Sequence, residues 1–230
     1  GMELSYYNDR FDLHPGDRVW VDGKLAEHPG IVTAVNYSFR INLADYKRVI
    51  ARIDTEVHGS FVMGGSHFIT FDRGTTERGQ VRLWFAPPTE ENAEFVCGSD
   101  AESAFPLNDL RRMGVDAGTA ERGHDYYREN RVLYLALDGD KGYALVEGRE
   151  TYEVEFTYRN GEVSDLICSC FCGGKCKHAF AAMLQLEETL ALIEKRYAAA
   201  FAESNYFAAI CKGTLLAYAI DGKESGSFTL

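Results

Sequence analysis

The cleanest alternation of apolar and polar positions runs over residues 151–158. Tyr152, Val154, Phe156 and Tyr158 fall on one face, and Thr151, Glu153, Glu155 and Thr157 on the other. A period of two predicts a half-buried strand. Asn160-Gly161 follows, and because both positions accept a positive φ it predicts a two-residue hairpin, with residues 162–168 returning antiparallel. Upstream, Val132–Leu137 and Tyr143–Val146 read as two further strands, and Glu121–Asn130 as a short helix carrying Tyr126 and Tyr127. Downstream, neither glycine nor proline occurs between His178 and Gly213, and Phe180, Met183, Leu186, Leu190, Ile193, Tyr197 and Phe201 recur every three or four residues. That period predicts a long helix whose apolar stripe packs on the aromatic face of the strand at 151–158. Phe207–Ile210, Thr214–Ile220 and Ser227–Leu230 are apolar segments without a decisive period, read as a closing strand or two.

The first half is written in strand and hairpin grammar. Val19-Trp20-Val21, residues 31–35, 39–43 and 49–53 are short apolar runs separated by Asp22-Gly23 and Pro29-Gly30. Together they look like a small SH3-like or Tudor-like barrel, in which Trp20, Tyr37 and Phe39 are core residues or line a ligand groove. Phe61-Val62, residues 68–71 and 81–85 predict more strands around a polar loop at 74–79. Pro87-Pro88 closes the block, and Thr89-Glu90-Glu91 opens a polar stretch that reads as briefly helical. Asp109–Met113 before Gly114 reads as a short helix with a glycine stop. The expected division is a β-rich domain at 1–86, a linker with a short helix at 87–117, and a second domain at 118–230 with C-terminal closing segments. The fold class is α+β.

Four of the six cysteines lie between Cys168 and Cys176, and His178 follows two residues later. A tetrahedral zinc site needs four soft or borderline donors about 2.0–2.3 Å from one point, and two short pairs across a turn can supply them. Cys168 with Cys170 makes the first pair, Cys176 with His178 the second, and Gly173-Gly174 the turn. Cys172 is then a surplus donor at the turn, either filler or a redox-active thiol. An iron–sulfur cluster on Cys168, Cys170, Cys172 and Cys176 is the other arrangement, though it leaves His178 idle. The predicted helix start beside these residues favours thiolate over thiol.

The spacing C-x-C-x5-C-x-H resembles the SWIM zinc finger, a module of bacterial Swi/Snf-type ATPases, Mutator-type transposases and smaller proteins. The resemblance extends through Arg122-Gly123, Tyr126-Tyr127, Val146-Glu147-Gly148, Tyr152, Val154 and Asn160-Gly161, and downstream through Lys177-His178, Ala182 and Leu184. It spans about residues 120–190 and implies a strand meander, zinc knuckle and long helix. It also implies a bacterial protein whose partners are DNA or other proteins.

Composition sharpens this picture in a few places. Of 230 residues, 46% are hydrophobic, which suffices for a sizeable core. The formal charge of −11 excludes a surface that is basic throughout, so nucleic-acid contact must be local. The local candidates are Lys175, Lys177, Arg122, Arg128 and Arg131, or these are ordinary solvated charges among Asp125, Glu129 and Asp165. Gly1 before Met2 reads as a cloning remnant, the next residues carry no leader pattern, and no apolar run reaches membrane-spanning length, so a cytoplasmic protein is expected. The crowded cysteines do not suit a disulfide framework.

No phosphate-cradling loop and no zinc-deaminase signature occurs. Cys97 and Cys211 have no local pattern that pairs them with His28, His58, His67 or His124 as nucleophiles. The reading is therefore a non-enzymatic zinc-binding module for DNA or protein. The alternative is an enzyme with its site in the N-terminal half and a purely structural zinc.

Overall fold

The computed structural model describes residues 2–38, 40–88, 104–172 and 175–220. Phe39, Thr89-Glu90-Glu91, Cys97, the Gly173-Gly174 turn and Ser227–Leu230 lie outside these residues. The chain divides into two compact units, one from Gly1–Thr55 with Gly79–Ala93, the other from Glu56–Arg78 with Glu94–Leu230.

In the first unit, β1 (Arg18–Val21) lies between β2 (Gly30–Ile31) and β3 (Val49–Ile53) in an antiparallel three-stranded sheet. No closed barrel forms among the described residues. The apolar run at 31–35 enters the ladder only through Ile31, Val32 adds backbone hydrogen bonds to Gly16 and Asp17, and Ile31, Val35, Ile41 and Leu43 stay exposed. Of the expected strand at 39–43, the described residues 40–43 form no strand, and a 3-10 turn spans Leu43–Asp45. Val19, Val21 and Val49 form a core with Tyr6, Phe11 and Leu13. Trp20 is a core residue and its Nε1 donates to the Leu83 carbonyl at 2.8 Å, whereas Tyr37 is almost fully exposed. The expected strand at 81–85 is helical instead: α1 spans Arg78–Leu83, with Val81 and Trp84 buried three residues apart. Trp84 Nε1 donates to the Asp54 carbonyl at 2.8 Å.

The second unit carries an eight-stranded antiparallel sheet, and it takes in residues 56–78, which the sequence grouped with the first half. Its strands are β4 (Val62–Gly64), β5 (His67–Thr70), β6 (Phe105–Pro106), β7 (Val132–Asp138), β8 (Lys141–Glu147), β9 (Thr151–Arg159), β10 (Glu162–Cys168) and β11 (Tyr206–Cys211). They are ordered β4-β5-β11-β7-β8-β9-β10-β6. Thus β11, whose period was indecisive, sits inside the sheet and joins the β4–β5 hairpin to the meander β7–β10. The turn at Asn160-Gly161 has φ of 53° and 84°, the left-handed pair that a tight hairpin requires.

Val154 and Phe156 are buried on the face that meets the long helix α3 (Lys177–Arg196), and Tyr152 and Tyr158 pack at its margins. From the other side of the stripe come Phe180, Met183, Leu186 and Ile193. The helix stops at Tyr197, whose ψ of 19° breaks the run, and α4 (Ala198–Ser204) carries Phe201 onward. The helix α2 (Ala117–Arg128) is capped by Asp116, which accepts from the Thr119 N–H at 2.9 Å, and it packs along α3. Among the described residues, no helix is long and apolar enough to cross a membrane.

Tyr127, on α2, has its hydroxyl pushed up to about 12 by burial and by the neighbouring Glu188 carboxylate. The unfolded chain would ionise near pH 10, so its contribution is intact below that pH and is lost as pH rises toward 12. Tyr127→Phe is therefore expected to flatten the alkaline limb of a stability profile between those values. Urea melts at several pH values would check it.

Candidate metal centre

Two elements bring the donors together. Strand β10 ends at Cys168, opposite Val154 of β9, and Ser169 continues the contact: its N–H donates to the Glu153 carbonyl and its Oγ accepts from the Glu153 N–H. This anchors the start of the loop and sets Cys170 beside the helix start. Cys176 is the N-cap of α3, its sulfur accepting from the Ala179 N–H at 3.3 Å. His178 lies one residue into the first turn.

The donor atoms of Cys168, Cys170, Cys176 and His178 all lie within 4.8 Å of one another, and all four residues are buried. Nδ1 of His178 faces the sulfurs, 3.9 Å from Cys168 and 3.8 Å from Cys176. Tetrahedral zinc bonds of about 2.3 Å to sulfur and about 2.0–2.1 Å to nitrogen would put such atoms roughly 3.5–3.8 Å apart. The four residues can hold a metal ion without rearrangement of the elements that carry them. Cys172, by contrast, is exposed, as is Phe171 before it.

The three sulfurs share hydrogen bonds that shift their ionisation in opposite directions. Hydrogen bonding from Cys168 holds the Cys176 thiol down at about 4, with further help from His178 and the Ala179 N–H. Cys168 is pushed up by that same hydrogen bond and by burial, and Cys170 is pushed up to about 11, chiefly by burial. A thiolate is favoured within this hydrogen-bonded set of sulfurs, and a bound cation would favour ionisation of the remaining thiols.

No family model, no curated protein and no solved structure matches the chain.

The imidazole of His178 is clamped. Tyr152 stacks on it with ring centroids 4.1 Å apart and planes within 19°, and Tyr126 stands against it at 5.5 Å. These partners fix the ring so that Nδ1 points at the sulfurs, the orienting work that surroundings do for a ligating histidine. Gly148 leaves space for the clamp: a Cβ there would stand 2.7 Å from the Tyr152 ring and 3.1 Å from His178 Nε2. Gly148→Val is expected to weaken metal affinity about 10-fold or more, the scale seen when groups around a ligand are disturbed. Competition with a chromogenic chelator would measure it.

The five basic candidates divide. Lys177 Nζ and the Arg131 guanidinium both lie over the Tyr126 ring, at 4.5 and 4.7 Å. Lys175 is exposed, with Cε 3.9 Å from where a Cβ of Gly114 would be. Arg122 donates to Thr119 Oγ1, and Arg128 is paired with Asp125. Arg131 also pairs with Glu129 at 2.6 Å.

His67, weighed in the sequence only as a partner for a nucleophilic cysteine, is buried in the sheet. His67 Nε2 lies 2.7 Å from the Val132 carbonyl, which can accept but not donate, so that nitrogen carries the proton and Nδ1 accepts from Ser66 Oγ at 2.9 Å. Cys211 is its cross-strand partner, but both ring nitrogens are already engaged. The ring braces β5 against β7. No periodic signal marked it, because β5 is buried on both faces.

Proposed function

We propose that Cys168, Cys170, Cys176 and His178 hold one zinc ion, and that residues 120–190 form a SWIM-like module acting as a non-enzymatic binding unit for DNA or for a protein partner. The observation that carries this reading is the convergence of four buried donors from a strand end and a helix start. Three sulfurs and one imidazole suit zinc rather than a hard cation that prefers oxygen. A four-cysteine iron–sulfur arrangement would need Cys172, which is exposed and outside the cluster.

Four protein donors close the coordination sphere and leave no open position for substrate, so the ion's work is to tie the end of β10 to the start of α3. A dication with three thiolates and a neutral imidazole keeps one net negative charge, which Lys175 and Lys177 offset. The meander β8–β9–β10 running into the first cysteine, and the helix that begins on the last, support the likeness to the SWIM arrangement. Free thiols in a metal cluster also suit a reducing, cytoplasmic setting.

The proposed nucleic-acid contacts are Lys175, Lys177, Arg122, Arg128 and Arg131. Each phosphate contact adds about 0.9 to the slope of log affinity against log salt on duplex DNA. Lys175→Glu and Lys177→Glu are therefore expected to weaken DNA binding and to flatten its salt dependence by about one contact each. Salt-titrated binding of the zinc-loaded chain tests this. Absence of affinity at low salt, or indifference to both substitutions, would remove DNA and leave a protein partner.

A further inference from the structure

We infer that the cavity between the β4–β5 hairpin and the second half of α3 binds a small zwitterion, one whose amine and carboxylate stand at opposite ends of a short apolar chain. None of the four metal donors lines this cavity, so the inference is independent of the zinc reading.

The cavity has a volume of about 260 Å³. Liquid water takes roughly 30 Å³ per molecule, so the space suits a ligand of no more than about nine water-sized groups. Its floor is polar and deeply buried: Gln185 and Thr189, one turn apart on α3, are each 2% exposed. The Gln185 amide donates to Glu188 Oε2 at 3.1 Å and to Thr189 Oγ1 at 3.2 Å. These bonds use both amide hydrogens and leave Oε1 as an acceptor without a protein partner.

Glu188 stands at the same end. Its Oε1 lies against the hairpin, 3.3 Å from where a Cβ of Gly65 would be, and Tyr127 hydrogen-bonds it from α2. Gly65 has a φ of 58°, and Lys212 Nζ donates to its carbonyl at 2.7 Å, which pins the hairpin backbone beside the carboxylate. A carboxylate and an amide oxygen side by side make a seat for an ammonium, which brings three donors and no acceptor.

The far end of the cavity is opposite in sign. Arg196 lines it, and among the described residues its guanidinium makes no ion pair. Glu188, Leu192 and Arg196 follow at intervals of four and so share a helix face, with the two charges about 12 Å apart along the axis. Between them the walls are apolar, Leu192 from the helix and Met63 from β4. Gly64 permits this close approach, since a Cβ there would stand 2.4 Å from Ile69 Cδ1 and 3.0 Å from Leu192 Cδ2. A simple cation would meet the guanidinium, and a simple anion the carboxylate. A molecule carrying both charges, separated by methylenes, satisfies the two ends and the walls together. An α-amino acid holds both charges on one carbon and cannot span them.

The test is isothermal titration calorimetry on the zinc-loaded full chain with 5-aminopentanoate, its isomer norvaline, pentylamine and pentanoate. 5-Aminopentanoate should bind with a Kd of about 1 mM or tighter, and each of the other three about 10-fold or more weakly, the scale of one charge-assisted hydrogen bond. Glu188→Gln should abolish the preference over pentanoate, and Arg196→Gln the preference over pentylamine. Both residues are exposed, so the variants should keep the fold, which an unchanged melting temperature and zinc content verify. Norvaline or pentylamine binding as tightly as 5-aminopentanoate would overturn the inference. So would retention of either preference in its variant, or absence of binding by all four compounds. None of these outcomes touches the zinc reading, which rests on other residues.

Discussion

Cys168→Ser is expected to weaken zinc retention and to lower the stability of the second unit by about 2.5–4 kcal/mol. The figure is roughly a quarter of the ~10–16 kcal/mol that structural zinc contributes to small finger modules, one donor of four being lost. The residue is fully buried at the end of β10, and its sulfur lies 3.9 Å from His178 Nδ1, so serine leaves a poor ligand in a dry site. Cys170→Ser, Cys176→Ser and His178→Ala should act in the same direction. Cys172→Ser should change neither zinc content nor melting temperature, because that thiol is exposed and outside the cluster. Chelation of the wild type should expose amides at 162–185 to hydrogen exchange and spare those of β1 and β3. Zinc-to-chain ratios across the series, with exchange before and after chelation, would check the whole set. Loss of zinc in Cys172→Ser with retention in Cys168→Ser would redraw the ligands.

Trp84→Ala is expected to destabilise the first unit by about 3–5 kcal/mol, the usual cost of emptying a buried tryptophan site. Trp84 is 1% exposed, and its Nε1 donates to the Asp54 carbonyl, which would lose that donor. A first unit that relies on one small three-stranded sheet has little else to compensate. Zinc content should be retained, since all four donors belong to the other unit. Denaturant unfolding followed by Trp20 fluorescence, with metal analysis of the same sample, would show both effects.

What the sequence disclosed depended on whether the information was local. The β9 alternation, the Asn160-Gly161 turn and the cysteine–histidine spacing are each contained in a dozen residues, and each appears in the structure at those residues. The stripe of α3 was equally plain, though the helix end at Tyr197 was not, since Phe201 keeps the spacing across it.

Strand β11 carried no alternation because Phe207, Ala208, Ala209 and Ile210 are all fully buried, with both faces covered. For β4 and β5, the strand character was visible but the sheet was not: their place is fixed by pairing β5 with β11, more than a hundred residues away. Residues 81–85 were ambiguous in a different way, since a short apolar run fits either period, and the three-residue spacing of Val81 and Trp84 won. In the metal site the donors were legible, but the Tyr152 and Tyr126 clamp on His178 depends on β9 and α2 meeting α3, which no local pattern encodes.

The proposed zinc ligands are three sulfurs and one imidazole nitrogen. X-ray absorption at the zinc edge, on the metal-replete chain, measures that shell directly. The expected shell is three sulfur neighbours at about 2.3 Å and one nitrogen at about 2.0–2.1 Å. A shell of four sulfurs, a shell of oxygen and nitrogen alone, or a chain that takes up no zinc would contradict it.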